Sequence, residues 1–210
     1  MPRTEVISAD NPESAVVAAR VLNEGGVIVY PTETLYGLGA LASKNEAVEK
    51  IFNIKGRPYG KPIPLLVKNK QMLSQIAEDN RLVNILSEQF WPGRLTVILK
   101  LISPLSELIT SGTGKIALRI SSHPFLQNLF EIINEPLTST SANLSGDQNL
   151  LDYSELFETF DGKVDLIVDS GNIPESRGST IIDLTLDPPR ILREGDIKTD
   201  ILKEFIDGHS

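Results

Sequence analysis

The chain has 210 residues, and its apolar (40%) and charged (23%) fractions are those of an ordinary soluble globular protein. It contains no cysteine and two histidines, which excludes disulfide and thiolate chemistry and argues against a zinc site. No apolar run reaches transmembrane length, and the first residues lack the basic-then-apolar pattern of a signal peptide. We therefore expect a single domain, residues 1–210, in the cytoplasm and without membrane contact.

The net charge of -8 is unevenly distributed along the chain. Residues 150–210 hold fourteen acidic and six basic residues, which accounts for all of it. Residues 44–70 hold seven basic residues and two acidic ones. A globally acidic protein is a poor non-specific binder of nucleic acid. The local positive excess therefore favours a pocket for a small anionic ligand.

The chain begins with a predicted strand, helix and strand. Asp10 or Asn11 caps the helix, with Pro12 at its first position, and Gly25-Gly26 ends it. The second strand is a short β-branched run of the kind found in buried strands. The two strands cover residues 4–7 and 27–30.

Residues 37–42 read G-x-G-x-x-A, which raises the possibility of a dinucleotide-binding fingerprint. The first glycine lies seven residues beyond the strand, and the position where an acidic residue would hold a ribose falls in a basic segment. We therefore reject this interpretation.

The next feature is a basic loop, residues 55–62, with the sequence Lys55-Gly56-Arg57-Pro58-Tyr59-Gly60-Lys61-Pro62. A capping-box pattern at residues 43–46 opens the preceding helix, 45–54. Glycine and proline prevent the loop from continuing as helix or strand. Taken alone, such a loop is more often a solvated connection, but it also suits anion binding, with Arg57 as a planar fork and the lysines as point charges.

Strands and helices alternate through the remaining chain, and several strand pairs have no helix between them. This pattern predicts an α/β fold with a mixed sheet. His123 is expected to cap a helix or to lie on the surface, and not to be catalytic. Predicted strands cover residues 64–67, 96–101, 116–120, 166–169, 179–184 and 191–193, and predicted helices cover 70–77, 80–90, 124–133, 153–160 and 199–206.

A second unusual stretch, residues 137–146, places five hydroxyls and one amide within eight residues. A polar turn would explain it, because serine, asparagine and glycine favour turns. However, residues 138–141 have strand character, and buried hydroxyls need partners, which favours a ligand-facing role. No G-x-S-x-G elbow or suitably placed histidine accompanies these serines, so serine hydrolase chemistry is not indicated.

Polar stretches at strand ends occur at the Pro-Thr-Glu-Thr segment (31–34), the basic loop and the Ser-Ala-Asn loop (141–146). Ligands of open α/β sheets bind at strand ends. Cations and hydroxyls without a metal cluster suit phosphate and carboxylate binding, and catalysis of phosphoryl or nucleotidyl transfer by positioning and electrostatics. Arg119, Ser179 and Arg193 are further polar residues in or beside apolar strands.

These motifs resemble the YrdC-like threonylcarbamoyl-AMP synthase family. The resemblance spans about residues 5–197 and rests on an ordered set of motifs that are specific only together. They are Pro31-Thr32-Glu33-Thr34, Tyr36-Gly37-Leu38, Lys55-Gly56-Arg57-Pro58, Ser141-Ala142-Asn143 with Ser145-Gly146, Ser179-Thr180-Ile181-Ile182-Asp183, and Arg193-Glu194-Gly195.

The resemblance implies a strongly twisted mixed sheet flanked by helices around a large concave cavity. It implies a nucleotidyltransferase that converts L-threonine, bicarbonate and ATP to threonylcarbamoyl-AMP and pyrophosphate. The product would pass to the machinery that modifies the tRNA adenosine beside the anticodon, with at most weak direct tRNA contact. ATP would be a substrate, accompanied by Mg2+ with no metal-binding side chain assigned.

The family motifs also imply roles for individual residues. Arg57 and Arg119 would take the threonine carboxylate or the carbamate bidentately, and Lys55 and Lys61 would neutralise the triphosphate. No general base is assigned. Catalysis is assigned to Lys55, Arg57, Ser141 and Asn143; threonine and carbamate to Thr34, Arg57, Arg119, Ser139 and Ser179; ATP to Lys55, Lys61, Lys115, Ser141, Asn143, Asn149 and Arg193.

Two positions depart from the family pattern. Lys115 stands where relatives often carry a small hydroxyl residue, and Leu66 where some carry histidine. The chain also resembles the short form without an additional C-terminal domain. Two alternatives remain open: a non-catalytic RNA-binding or translation-associated module, and a paralogue that acts on another carbamoyl or adenylate substrate.

Overall fold

A computed structural model describes residues 3–209, and within that range the chain forms eleven strands and eight helices. The strands are β1 (Glu5–Ser8), β2 (Ile28–Tyr30), β3 (Gly37–Gly39), β4 (Leu65–Leu66), β5 (Leu95–Lys100), β6 (Lys115–Arg119), β7 (Leu137–Thr138), β8 (Thr140–Ser141), β9 (Leu166–Asp169), β10 (Thr180–Asp183) and β11 (Arg190–Arg193). The helices are α1 (Ser14–Asn23), α2 (Asn45–Lys55), α3 (Lys70–Ile76), α4 (Arg81–Phe90), α5 (Glu107–Thr110), α6 (Pro124–Phe130), α7 (Tyr153–Phe160) and α8 (Thr199–Asp207).

The strands are divided between two sheets, whereas the sequence predicted one. The five-stranded sheet has the order β1-β9-β2-β3-β8, and the six-stranded sheet has the order β11-β10-β5-β6-β4-β7. Both contain parallel and antiparallel pairs: β2 is parallel to β9 and antiparallel to β3, and β5 is parallel to β10 and antiparallel to β6. The α/β class with mixed pairing is therefore confirmed.

Residues 137–141 connect the two sheets. The predicted strand at 138–141 is in fact two short strands: β7 pairs with β4 in the larger sheet, and β8 pairs with β3 in the smaller one. Ser139 alone lies between them. The hydroxyl-rich segment thus runs across the junction of the two sheets.

The glycines of the G-x-G sequence are required by close packing in β3. A Cβ at Gly39 would lie 2.1 Å from the backbone oxygen of Thr138, and one at Gly37 would lie 2.7 Å from the ring of Tyr30. Helix α2 begins only at Asn45, so these glycines do not open a helix. This packing role agrees with the rejection of a dinucleotide fingerprint.

Helix α2 forms where the sequence predicted it, because its buried residues Ala47, Val48, Ile51 and Phe52 recur at helical spacing. It ends at Gly56, whose φ of 59° and ψ of 34° place it in the left-handed region. Lys55 is therefore the last residue of the helix, and the basic loop follows directly.

Several details of the helix predictions were wrong, including the end of the helix predicted over 124–133, which ends at Phe130. Helix α1 begins at Ser14 instead of Pro12, because the Asn11 side chain forms a turn by accepting from the Glu13 amide. Lys44, without a side-chain cap bond, is the N-cap of α2, so the capping box is not formed. The short helix α5 was not predicted.

The predicted cap at His123 is confirmed, since its Nδ1 accepts from the Phe125 amide at 3.2 Å. Within residues 3–209, no helix has the length and apolar character needed to cross a membrane.

Candidate functional site

The basic loop is closed by its own arginine. Arg57 Nη2 donates to the Pro62 carbonyl at 2.7 Å, and Arg57 Nε donates to the Lys61 carbonyl at 3.3 Å. The Tyr59 ring stacks on Phe52 of α2 at a centroid distance of 5.0 Å. Burial lowers the pKa of the Arg57 guanidinium. The loop therefore has a defined shape, with Lys61 exposed at its end.

Lys55 connects the basic loop to the Ser-Ala-Asn loop. Its Nζ, on a residue only 3% exposed, donates to the carbonyls of Ser141 at 2.6 Å and Asn143 at 2.5 Å and to Asn143 Oδ1 at 3.2 Å. In the opposite direction, the Ser145 amide donates a hydrogen bond to the Lys55 carbonyl at 2.9 Å. These bonds occupy all three protons of the ammonium group.

The Ser-Ala-Asn loop is also bonded within itself. Ser141 Oγ donates to Asn143 Oδ1 at 2.6 Å, and Asn143 Nδ2 donates to the Asp147 carbonyl at 2.8 Å. Desolvation by burial, together with the positive charge of Arg57, lowers the pKa of Lys55 from 10.5 to about 8. We call Lys55, Ser141 and Asn143 the Lys55 cluster.

A second group of polar side chains surrounds Arg119 at the end of β6. Arg119 is 6% exposed, and its Nη1 donates to Thr34 Oγ1 at 3.0 Å. The same Nη1 lies 3.8 Å from Glu33 Oε1, an ion-pair distance that is too long for a hydrogen bond. Glu33 Oε2 accepts a hydrogen bond from the buried Ser121 hydroxyl. We call Thr34, Glu33, Arg119 and Ser121 the Arg119 cluster.

Ser179 and Arg193 lie beside this cluster. The hydroxyls of Ser179 and Thr96 are 2.7 Å apart, and Arg193 donates through Nη2 and Nε to the Ser179 carbonyl at 2.7 and 3.1 Å. Burial, followed by the positive charge of Arg119, lowers the pKa of Arg193, which indicates that the two guanidinium groups are near each other. Gly195 is required here, because a Cβ would lie 2.2 Å from the Gly178 carbonyl.

The remaining predicted site residues lie between or beyond these groups. The Ser139 amide donates to the Pro64 carbonyl at 2.8 Å. Burial raises the pKa of Tyr30, whereas its hydrogen bond with Ser139 and the positive charge of Arg119 act to lower it. Lys115 forms an ion pair with the buried Asp183 at 3.0 Å. Asn149 is exposed, beyond the Ser-Ala-Asn loop.

The structure thus brings the Pro-Thr-Glu-Thr segment to Arg119 and the basic loop to the Ser-Ala-Asn loop. Sequence reasoning assigned no role to Glu33, Ser121 or Thr96, although Glu33 lies inside a motif that it singled out. Glu33 and Ser121 are 88 positions apart in the chain. No spacing pattern connects residues at that separation.

Two cavities lie near these groups. One of about 610 Å³ is bordered by α3, α4, α6 and the segment that follows β6, and none of the predicted site residues lines it. A groove of about 370 Å³ beside β11 is lined by Arg193, Glu194, Thr199 and Lys203 among others.

The donor groups do not form a metal centre. Within the described range, 3–209, there is no group of three or more histidine, aspartate or glutamate side chains placed to hold an ion. Two acidic residues beside the predicted site residues already have side-chain partners. Glu33 contacts Ser121 and Arg119, and Asp183 contacts Lys115 and Thr185. This donor set does not fit a protein-held Mg2+.

Comparison with known proteins identifies the family. A family model for Sua5, YciO and YrdC proteins, described as telomere recombination, matches residues 20–195. The chain belongs to the Sua5/YciO/YrdC family.

Named relatives of this family match along most of the chain. A threonylcarbamoyl-AMP synthase from Pyrococcus abyssi is 35% identical over 191 residues, which are 90% of this chain and 56% of the relative. The crystal structure of P. abyssi Sua5 complexed with L-threonine matches with a TM-score of 0.91 at 33% identity, over 97% of this chain and 61% of that one.

A family member of similar length also matches. The crystal structure of E. coli YciO gives a TM-score of 0.83 at 32% identity, over 94% of this chain and 98% of that one. By contrast, the chain spans a little more than half the length of the curated relatives it matches.

Proposed function

We propose that this Sua5/YciO/YrdC-family chain is an L-threonylcarbamoyladenylate synthase. In this reaction threonine and bicarbonate give a carbamate, with loss of water. A carbamate oxygen then attacks the α-phosphorus of ATP, and the α–β phosphoanhydride bond breaks, so that pyrophosphate leaves. The enzyme would be a nucleotidyltransferase, and its product would supply the threonylcarbamoyl group for a tRNA adenosine next to the anticodon.

One observation carries this proposal: the buried guanidinium of Arg119 lies at the junction of three motifs shared with the family. Its Nη1 bonds Thr34 of the first motif, its charge acts on Arg193 of the last, and Ser179 bonds Arg193. A buried guanidinium surrounded by hydroxyls is suited to a carboxylate. The P. abyssi relative, 33% identical, is complexed with L-threonine.

The two loops then supply the nucleotide end of the site. Lys61 is exposed and is the lysine best placed to meet phosphate, and the folded-back Arg57 presents a partly buried positive charge at the same loop. In this proposal Lys55 contributes its charge and holds Ser141 and Asn143 in place. Arg193, Lys115 and Asn149 would complete the contacts with ATP.

Catalysis would consist of positioning and electrostatic stabilisation, because no general base is assigned. Alignment of the carbamate with the α-phosphate makes the attack effectively unimolecular. The cations of the basic loop oppose the negative charge that accumulates on the departing pyrophosphate. If Mg2+ accompanies ATP, the same cations would still oppose the negative charge on the departing pyrophosphate.

A second function is favoured by a specific observation. The match with E. coli YciO covers 98% of that chain, whereas the matched threonylcarbamoyl-AMP synthases are considerably longer. A paralogue of this length that activates a different carbamoyl or adenylate substrate is therefore the second candidate. The acidic net charge argues against an RNA-binding module.

The test is pyrophosphate release from ATP, with threonine and bicarbonate present and with each omitted. Release that requires both would support the synthase. Release that is independent of threonine would favour the paralogue, and no release under any condition would favour a binding module. Mass spectrometry of the nucleotide product identifies the adenylate formed.

The first variant to test is Arg57→Ala, with Arg81→Ala as its matched control. Arg81 is exposed at the start of α4. We expect Arg57→Ala to reduce threonine-dependent release by about 100-fold or more, since a positioned cation in a transfer site contributes several kcal/mol, and circular dichroism to remain unchanged. Near-normal turnover in Arg57→Ala would show that Arg57 is not part of the site.

A further inference from the structure

Ser121 is a buried residue that the proposed function leaves without a role. It follows β6 two residues after Arg119, and it is 5% exposed. Its hydroxyl donates to Glu33 Oε2 and accepts from the His123 amide at 3.2 Å. The backbone at the start of α6 thereby fixes the hydroxyl, and the hydroxyl fixes one oxygen of Glu33.

The other oxygen of Glu33 is in an unusual situation. Glu33 Oε1 is inaccessible to solvent and has no hydrogen-bond partner among the residues that the structure describes, although Arg119 Nη1 is 3.8 Å away. A buried carboxylate oxygen left without a hydrogen bond destabilises the folded state. A carboxylate beside a guanidinium ordinarily forms two parallel hydrogen bonds with it. A shift of less than about 1 Å would be enough to form the first of them here.

The consequence concerns the free N–H groups of Arg119. Of its five N–H donors, one is bonded to Thr34 Oγ1, and within residues 3–209 we find no protein acceptor for the others. If Glu33 closed onto the guanidinium, it would occupy two of them and cancel its charge. A substrate carboxylate would then have to displace Glu33 before it could bind.

We infer that Ser121 is a positioning residue: it holds the Glu33 carboxylate away from Arg119 and so keeps the guanidinium available for the carboxylate of the amino-acid substrate. The inference rests on the proposed function for the identity of that substrate. Glu33 at 3.8 Å still stabilises the buried positive charge through space. The arrangement thus compensates the buried charge of Arg119 without saturating its donors.

The alternative is that the Ser121–Glu33 bond only ties the Pro-Thr-Glu-Thr segment to the end of β6. The two roles predict opposite results for a double variant. If the bond is only a tie, its loss in Ser121→Ala is not repaired by a second change at Glu33. If Ser121 restrains Glu33, removal of the negative charge in Glu33→Gln repairs the damage.

The experiment measures KM and kcat for L-threonine in Ser121→Ala, Glu33→Gln and the double variant. We expect KM to rise roughly tenfold in Ser121→Ala, the equivalent of one charge-assisted hydrogen bond, with kcat little changed. Glu33→Gln should have the wild-type KM or a lower one, and the double variant should return close to wild type. Ser87→Ala is the matched control: Ser87 is 6% exposed and its hydroxyl bonds within α4.

Two outcomes would overturn the inference. One is a double variant with a KM as high as that of Ser121→Ala or higher. The other is a tenfold increase in KM for Glu33→Gln alone. This second measurement tests the role of Ser121 even if Ser121→Ala does not fold.

A crystal structure of Ser121→Ala without ligand separates this inference from the proposed function. We expect a Glu33 oxygen within hydrogen-bond distance of Arg119, and a separation still near 3.8 Å would overturn the inference. This readout does not depend on which substrate is correct. If calorimetry shows that the wild-type protein does not bind L-threonine, the proposed function fails while this distance still decides the role of Ser121.

Discussion

The Lys55 cluster and the Arg119 cluster differ in how their buried cations are bonded. Both cations are nearly inaccessible to solvent, and both lie against hydroxyl-bearing segments. The ammonium of Lys55 has three acceptors from its own chain, so its donors are saturated. The guanidinium of Arg119 has one such bond and an unsatisfied carboxylate oxygen beside it.

This difference shows that a buried cation is not by itself evidence of a ligand site. A saturated cation fixes the position of the groups that bond it, whereas an unsaturated one retains donors for another molecule. On this basis we propose that Lys55 shapes the Ser-Ala-Asn loop and that Arg119 is the group that binds an anion. Three measurements would break or sharpen this comparison.

The largest effect is expected for Arg119→Lys, which keeps the charge and removes the planar fork. We expect kcat/KM for L-threonine to fall about 100-fold, close to 3 kcal/mol, because a buried bidentate contact is lost. The matched change Arg94→Lys alters a half-exposed arginine that forms an ion pair with Asp196, and it should leave kcat/KM unchanged. If Arg119→Lys retains wild-type kcat/KM, Arg119 does not bind the carboxylate.

An intermediate effect is expected for Lys55→Met, which retains the apolar stem and removes three hydrogen bonds. The carbonyls of Ser141 and Asn143 lose their partner, so we expect the free energy of unfolding in urea to fall by about 2–3 kcal/mol.

The matched control for that variant is Lys50→Met, at an exposed position in the same helix, which should change stability by less than about 0.5 kcal/mol. Equal stability of the two variants would contradict the role assigned to the Lys55 cluster.

The smallest effect is a pH dependence of stability. The folded chain releases the Lys55 proton near the lowered pKa of about 8, whereas the unfolded chain keeps it up to 10.5. Between these values the unfolded state holds more protons, so the free energy of unfolding from this group rises with pH, by at most about 1.4 kcal/mol per pH unit.

Urea denaturation at several pH values between 8 and 10 measures this slope, and the difference between wild type and Lys55→Met isolates the lysine. We expect the wild-type curve to rise more steeply. An identical slope would mean that the three acceptors of Lys55 compensate for its burial and that its pKa is not lowered.

Local structure was predictable from the sequence where side-chain periodicity determines it. The spacing of Val48, Ile51 and Phe52 defined α2, and Gly56 marked its end, so the position of the basic loop followed. Strand β3 (Gly37–Gly39) was not predicted, since glycine is a poor strand former. Its glycines are explained only by the Thr138 backbone and the Tyr30 ring that pack against them.

Contacts between distant segments could not be predicted from residue patterns. Lys55 and Ser141 are 86 positions apart, and Glu33 and Ser121 are 88 apart. The division into two sheets depends on pairings such as β1 with β9, which join Glu5 to Leu166, 161 positions away. The motifs predicted which residues belong to a site, but only the fold shows which of their donors are already occupied.

The single residue between β7 and β8 has a mechanical consequence. Because Ser139 alone joins a strand of one sheet to a strand of the other, this connection is too short to let the two strands move independently. Sliding of one sheet past the other would stretch or break the bond from the Thr138 amide in β7 to the carbonyl of Ala40, which follows β3. The hydrogen-exchange rate of that one amide therefore reports the relative motion of the two halves of the molecule.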